Sequence, residues 1–192
     1  MNLPNKLTIL RLIMIPLFVA TFYLTIIPCN YLISAIIFIL AALTDFLDGY
    51  IARKYNLVTN LGKFLDPIAD KILVSTALII MLLPMVGESK IIPFYGAMLV
   101  AVILARELMV SGFRIVAASN GKVLAADKSG KIKTFIQDVA VAVLLVGAEF
   151  MPSLYSAVNI AGLVLLGIAT LLTIYSGIEC IVKNIDVLKE SK

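Results

Sequence analysis

Six long apolar runs, separated by short polar breaks, constrain this chain more than any other feature. They cover Leu12–Pro28, Tyr31–Leu43, Ile72–Val86, Ile91–Ala105, Val139–Phe150 and Ala157–Val182. A helix needs roughly 20 predominantly apolar residues to cross the hydrocarbon core, where every backbone N–H and C=O must find its partner within the segment. Several runs fall short of that, but each lengthens through polar residues. The second continues through the Asp45 region to Arg53, and the third begins near Gly62. The breaks at Asn56–Asn60, Gly87–Lys90, Ser119–Lys133 and Met151–Ser153 carry turn chemistry. The pattern predicts an all-α polytopic membrane protein, a six-transmembrane-helix bundle forming one domain over residues 1–192. Composition agrees: 61% of the residues are hydrophobic and 15% charged, with a mean hydropathy of +1.07, whereas a soluble domain carries about 25% charged residues. The sequence has no internal repeat and no low-complexity tract.

Lys and Arg orient the spans. With the N-terminus inside, 15 of the 16 basic residues fall at cytoplasmic ends and loops, and Lys90 alone falls outside. Both termini are therefore expected in the cytoplasm. The first run has a basic flank like a signal peptide, but its apolar part is too long and no small-x-small cleavage site follows. It reads as a retained helix, with Asn2–Lys6 lying along the membrane surface ahead of it.

The chain has no histidine, which removes imidazole acid/base catalysis and the commonest metal ligand. Any metal must be held by oxygen, which favours Mg²⁺ or Mn²⁺. The two cysteines, Cys29 and Cys180, are far apart and read as small apolar residues rather than a disulfide or zinc site. Tryptophan is absent and aromatics are modest, so no nucleic-acid stacking surface is expected.

The chemistry concentrates in DFLDGYIARKYNLVTNLGKFLDPIAD, Asp45 to Asp70. Asp45 and Asp48 are three apart and share a helix face; Asp66 and Asp70, four apart, do the same on the next helix. A short connection makes the two helices neighbours, so all four carboxylates are expected to meet near the cytoplasmic end. A lone Asp there is ordinarily just a polar residue at a helix end. Four on converging faces are another matter, since each intramembrane Asp costs about 2.5–3.5 kcal/mol and like charges add to that. Two divalent cations would neutralise the cluster, an arrangement suited to phosphoryl chemistry. Gly49 and Ala52 offer a small-residue face beside the carboxylates, either for a base or ribose or simply for tight helix packing. Arg53 offers a fork for phosphate oxygens, or snorkels to the interface.

The pattern D-x₂-D-G-x₂-A-R-x₈-G-x₃-D-x₃-D resembles the signature of the CDP-alcohol phosphatidyltransferases, with Asp45, Asp48, Gly49, Ala52, Arg53, Gly62, Asp66 and Asp70 in all eight fixed positions. The resemblance covers the whole chain in layout and 26 residues in detail. The opening NLPNKLTILRL, with Asn5, Thr8 and Arg11, together with ARELMVSGFR and the loop GKIKT, is similar to members that use glycerol 3-phosphate.

The resemblance implies transfer of the phosphatidyl group of CDP-diacylglycerol to glycerol 3-phosphate, giving phosphatidylglycerol phosphate and CMP at a site facing the cytoplasm. It assigns Asp45, Asp48 and Asp66 to two Mg²⁺ or Mn²⁺ ions, and Asp70 to both metal contact and general base. It assigns Thr8, Gly49, Ala52, Arg53, Thr59 and Gly62 to CDP-diacylglycerol, and it implies a homodimer among membrane lipids. An acceptor that carries a phosphate needs cations, for which Arg106, Arg114, Lys131 and Lys133 are the candidates. The two lysines would equally suit anionic lipid of the inner leaflet. The competing readings are another acceptor (inositol phosphate, serine or a second lipid), a membrane prenyltransferase, whose acidic motifs lie further apart, and an ion or proton carrier. A carrier would be expected to spread its carboxylates along a path across the bilayer, often in repeated halves.

Overall fold

The computed structural model describes residues 2–55, 59–81, 91–119, 128–150 and 157–185, with side chains at all of these except 52, 53, 60, 61, 63, 64, 91–93 and 128. Six helices account for nearly all of them: α1 Leu3–Tyr23, α2 Asn30–Lys54, α3 Asn60–Ile80, α4 Ile91–Ser119, α5 Lys128–Phe150 and α6 Ala157–Lys183. Among the described residues there is no strand. The all-α expectation holds. By length and composition, α1, α2 as far as Ile51, and α6 are long and apolar enough to cross a membrane.

The helices differ from the sequence pattern mainly at the starts of α1 and α5 and at the end of α1, which stops at Tyr23 rather than running on to Pro28. Pro4 occupies the first turn of α1, where its missing N–H costs nothing. Residues 3–6 therefore continue the helix instead of forming a separate surface segment. The segment GKIKT, read as a loop, is the first turns of α5, so the polar break after Ser119 is shorter than expected. The connections at Gly87–Lys90 and Met151–Ser153, and most of Asn56–Asn60, lie outside the described residues.

Burial follows one stripe per helix. On α1, Pro4, Thr8, Arg11, Ile15, Phe18 and Phe22 are buried, an alternation of fours and threes that keeps one face inward. Leu10, Ile13 and Leu17 on the other face are exposed. Large apolar side chains elsewhere are equally exposed, among them Leu108 at 75% and Leu171 at 69%. A water-soluble protein rarely leaves so many open, whereas lipid solvates them well. The core lies where Phe18 and Phe38 meet Leu73, Leu78, Ile103, Val141, Leu145 and Leu166. Helix α1 packs on α2 and α3, α5 on α6 and α2, and α4 on α6. Small residues let α5 and α6 approach closely: a Cβ on Gly162 would stand 2.5 Å from Leu144 Cγ.

Glu149 apart, the helices carry their charged residues toward the start of α1, α3 and α5 and toward the end of α2, α4 and α6. Contacts join these ends: Arg11 with Asp45 and Asp48, Thr8 with Asp66, Lys71 with Ser111, Lys133 with Glu107, Arg106 with Ser176 and Ser129 with Glu179. At the opposite ends, Asn30 donates to the Phe22 carbonyl at 2.7 Å and the Tyr31 N–H donates to Glu149 at 3.0 Å. Alternate helices thus run in opposite senses, and the charged residues, Glu149 apart, collect at one end. Cys29 is exposed, Cys180 is buried, and both are free thiols.

Candidate active site

The inward stripe of α1 begins polar and turns apolar only at Ile15, so this helix brings Asn5, Thr8 and Arg11 into the bundle. Arg11 is completely buried. Its Nη1 lies 2.8 Å from Asp45 Oδ1 and its Nη2 donates to Asp48 Oδ2 at 2.5 Å, while Nε donates to Thr44 Oγ1 at 3.4 Å. A planar guanidinium is the side chain best suited to bridge two carboxylates one helical turn apart. Taken from water alone, either partner would be costly; paired, each compensates the other.

The same helix face grips α3. Thr8 Oγ1 donates to Asp66 Oδ1 at 2.6 Å, and Thr59 Oγ1 donates to Asn5 Oδ1 at 2.9 Å. Thr59 also caps α3, accepting the Gly62 N–H at 3.0 Å and so satisfying one of the helix's free N-terminal donors. Gly62 keeps this junction close. A Cβ there would sit 3.0 Å from Asn5 Oδ1 and 3.2 Å from Thr59 Oγ1. Helix α1 therefore clips the acidic end of α2 to that of α3. Asn5, Thr8 and Arg11 of the opening segment line the inward face of α1 against the acidic ends of α2 and α3.

Asp45 is 42% exposed, Asp48 is buried, and Asp66 and Asp70 are half-buried. The donor set suits a hard cation: all oxygen, on facing helices, with Thr8 held to Asp66 through Oδ1. Among the described residues, however, no three acidic side chains are arranged to hold one ion. Between Asp45 and Asp48 it is Arg11 that supplies the positive charge.

Asp70 opens onto a second space. Together with Lys71, Ser75, Glu107, Lys133, Thr134 and Gln137 it lines a cleft between α3, α4 and α5, floored by Val74, Leu78, Ile103 and Leu104. Lys133, buried, ion-pairs with Glu107, and Lys71 donates to Ser111 Oγ, which in turn donates to the Glu107 carbonyl at 2.5 Å. Lys131 is exposed; two residues from Lys133, it falls on another face of α5. Arg106 turns toward α6, where Nη2 donates to Ser176 Oγ at 2.8 Å and its stem passes the backbone at Gly177. Arg114 is half-buried, and its Nε has no hydrogen-bond partner among the described residues. Of the four candidate acceptor-binding cations, Lys133 alone lines the cleft with Asp70. Of the donor-binding candidates, Thr8, Thr59 and Gly62 form the α1–α3 wall and Gly49 lies half-buried beside Asp48. Ala52 and Arg53 are on the last turn of α2, with side chains outside the described set.

Glu107 and Gln137 escaped the sequence reading. Glu107 stands inside ARELMVSGFR next to Arg106, and an acidic side chain is not an expected partner for a phosphate. Gln137 belongs to the inward stripe Lys133, Gln137, Ala140, Leu144 of α5, and that spacing was available to find it.

The family model for CDP-alcohol phosphatidyltransferase matches residues 1–175. The chain is 43% identical to the CDP-diacylglycerol–glycerol-3-phosphate 3-phosphatidyltransferase of Bacillus subtilis, over 99% of this chain and 98% of the relative. It is 44% identical to the protein of the same name from Rickettsia bellii, covering 92% of this chain and 91% of that one. The Salmonella typhimurium protein, also so named, is 37% identical over 93% and 92% respectively. With the acidic signature carried on α2 and α3 and matches over nearly its full length, the chain belongs to the CDP-alcohol phosphatidyltransferase family.

Proposed function

We propose that this protein transfers the phosphatidyl group of CDP-diacylglycerol to glycerol 3-phosphate, releasing CMP and phosphatidylglycerol phosphate. The observation that carries the reading is the cleft in which Asp70, a carboxylate of the signature, faces Lys133: a proton acceptor and a cation together suit an alcohol that bears a phosphate. The names of the full-length relatives support the same acceptor. In this reading Asp70 takes the proton of the acceptor's primary hydroxyl. The hydroxyl oxygen forms a bond to the β-phosphorus of the donor as the bond from that phosphorus to the bridging oxygen breaks, and CMP leaves with the electron pair. Lys133 holds the acceptor's phosphate, with Arg106, Arg114 and Lys131 adding positive potential at the same end of the bundle. Thr8, Gly49, Ala52, Arg53, Thr59 and Gly62 receive the CDP part.

Asp45, Asp48, Asp66 and Asp70 are the residues that would hold two Mg²⁺ or Mn²⁺ ions. Bound there, the ions would supply Lewis-acid polarisation of the phosphoryl oxygens. The uneven distribution of Lys and Arg supports six spans with both termini and the catalytic end on the cytoplasmic side of the membrane. A homodimer belongs to the same reading. The test is CMP release by purified protein in liposomes containing CDP-diacylglycerol. Glycerol 3-phosphate should support it far better than glycerol, serine or inositol phosphate; a preference for any of these three would show the acceptor to be wrong.

A further inference from the structure

The cleft between α3, α4 and α5 contains a polar atom that the chemistry above leaves unused. Gln137 is 2% exposed, lines the cleft with Asp70 and Lys133, and its Oε1 is buried with no hydrogen-bond partner among the described residues. Its neighbours there are otherwise engaged: Lys133 with Glu107, Lys71 with Ser111, and Thr134 with the Gly130 carbonyl at 3.1 Å. A buried amide oxygen without a donor is costly, and native proteins rarely keep one unless something supplies the missing proton. Gln137 follows Lys133 by one turn on the same face of α5, and both line the same cleft.

We propose that Gln137 is the specificity-determining residue for a vicinal hydroxyl on the acceptor. Its Oε1 accepts a hydrogen bond from the hydroxyl next to the one that attacks, while Asp70 addresses the attacking hydroxyl and Lys133 the phosphate. This rests on the acceptor reading above and sharpens it: the site selects an alcohol phosphate with two adjacent hydroxyls over one with a single hydroxyl at the same chain length. A site that leaves its own buried acceptor unpaired when the hydroxyl is missing discriminates strongly against the deficient ligand.

The experiment compares glycerol 3-phosphate with 3-hydroxypropyl phosphate, which keeps the primary hydroxyl and the phosphate but lacks the middle hydroxyl. In the wild-type protein in liposomes, kcat/KM for CMP release should favour glycerol 3-phosphate by about tenfold to hundredfold. Gln137→Leu should bring that ratio to within about threefold of unity, chiefly by raising the KM for glycerol 3-phosphate, and Gln137→Glu, which keeps an acceptor oxygen, should retain most of the preference. Equal use of the two acceptors by the wild type, or an unchanged ratio in Gln137→Leu, overturns the proposal even where glycerol 3-phosphate remains the substrate. If Gln137→Leu fails to fold, the wild-type ratio decides. Failure of the wild type to use either phosphate overturns the acceptor reading itself, and this proposal with it.

Discussion

Two polar regions share one end of the bundle, and they are built on opposite plans. Around Arg11 most buried groups are matched: a fully buried cation ion-pairs with two carboxylates and donates to a threonine, Thr8 meets Asp66, and Asn5 meets Thr59. Among the described residues, Arg11 Nη1 is engaged through its ion pair to Asp45 alone. In the cleft beside Asp70, Lys133 is paired, but the Gln137 oxygen has no partner among the described residues. Matched buried groups hold elements in register, because removing any one strands the others. A buried acceptor without a donor on the wall of a cleft is a group that a ligand can complete. In the proposed reading the scaffold and donor end belong to α1–α3 and the acceptor end to α3–α5, with Asp66 and Asp70 of α3 between them.

The largest effect should come from the carboxylates themselves. Asp45→Asn, Asp48→Asn and Asp66→Asn are each expected to leave on the order of 1% of wild-type CMP release or less, as is removal of divalent cations with EDTA, and added Mg²⁺ or Mn²⁺ should restore the wild type. Full turnover in EDTA would eliminate the metal. Next comes Arg11→Met, which leaves the buried Asp48 uncompensated at a cost of about 3–5 kcal/mol. For a chain of this size that corresponds to a fall in Tm of roughly 10 °C in detergent. Lys133→Met should behave differently: a much smaller loss of Tm, since its partner Glu107 is 23% exposed, and an acceptor KM raised about tenfold to hundredfold with that for CDP-diacylglycerol nearly unchanged. If the two variants gave the same profile, the division between matched and open regions would collapse. The smallest effect on chemistry is expected from Gly162→Val, which forces α5 and α6 apart at Leu144. Overpacking costs about 1–3 kcal/mol, yet activity per folded molecule should stay within about twofold of wild type.

The comparison also explains what a single sequence reveals. The helices were legible because apolar runs and stripes of threes and fours are local, and the acidic signature because its spacing is local too. Partnerships across helices were not. Arg11 lies 34 and 37 residues from the two aspartates it bridges, and Lys133 lies 26 from Glu107; nothing in the intervening sequence encodes which faces meet. The start of α5 was misread for a related reason. Its lysines, serine and glycine look like a turn, but Lys133 is buried against Glu107 of α4 and Ser129 donates to Glu179 of α6 at 2.8 Å, so tertiary contacts hold the helix where propensity alone is weak. Gln137 was within reach, because the stripe that buries Leu144 passes through it.

Phosphatidyl transfer with Asp70 as the base is tested most directly by following labelled glycerol 3-phosphate into lipid while counting CMP. The wild type should place one label in the lipid fraction for each CMP released. Asp70→Asn should lower kcat by about 10²–10⁴-fold, with both KM values within a few-fold of wild type. CMP release without label in lipid, or an Asp70→Asn protein that turns over at the wild-type rate, would contradict it.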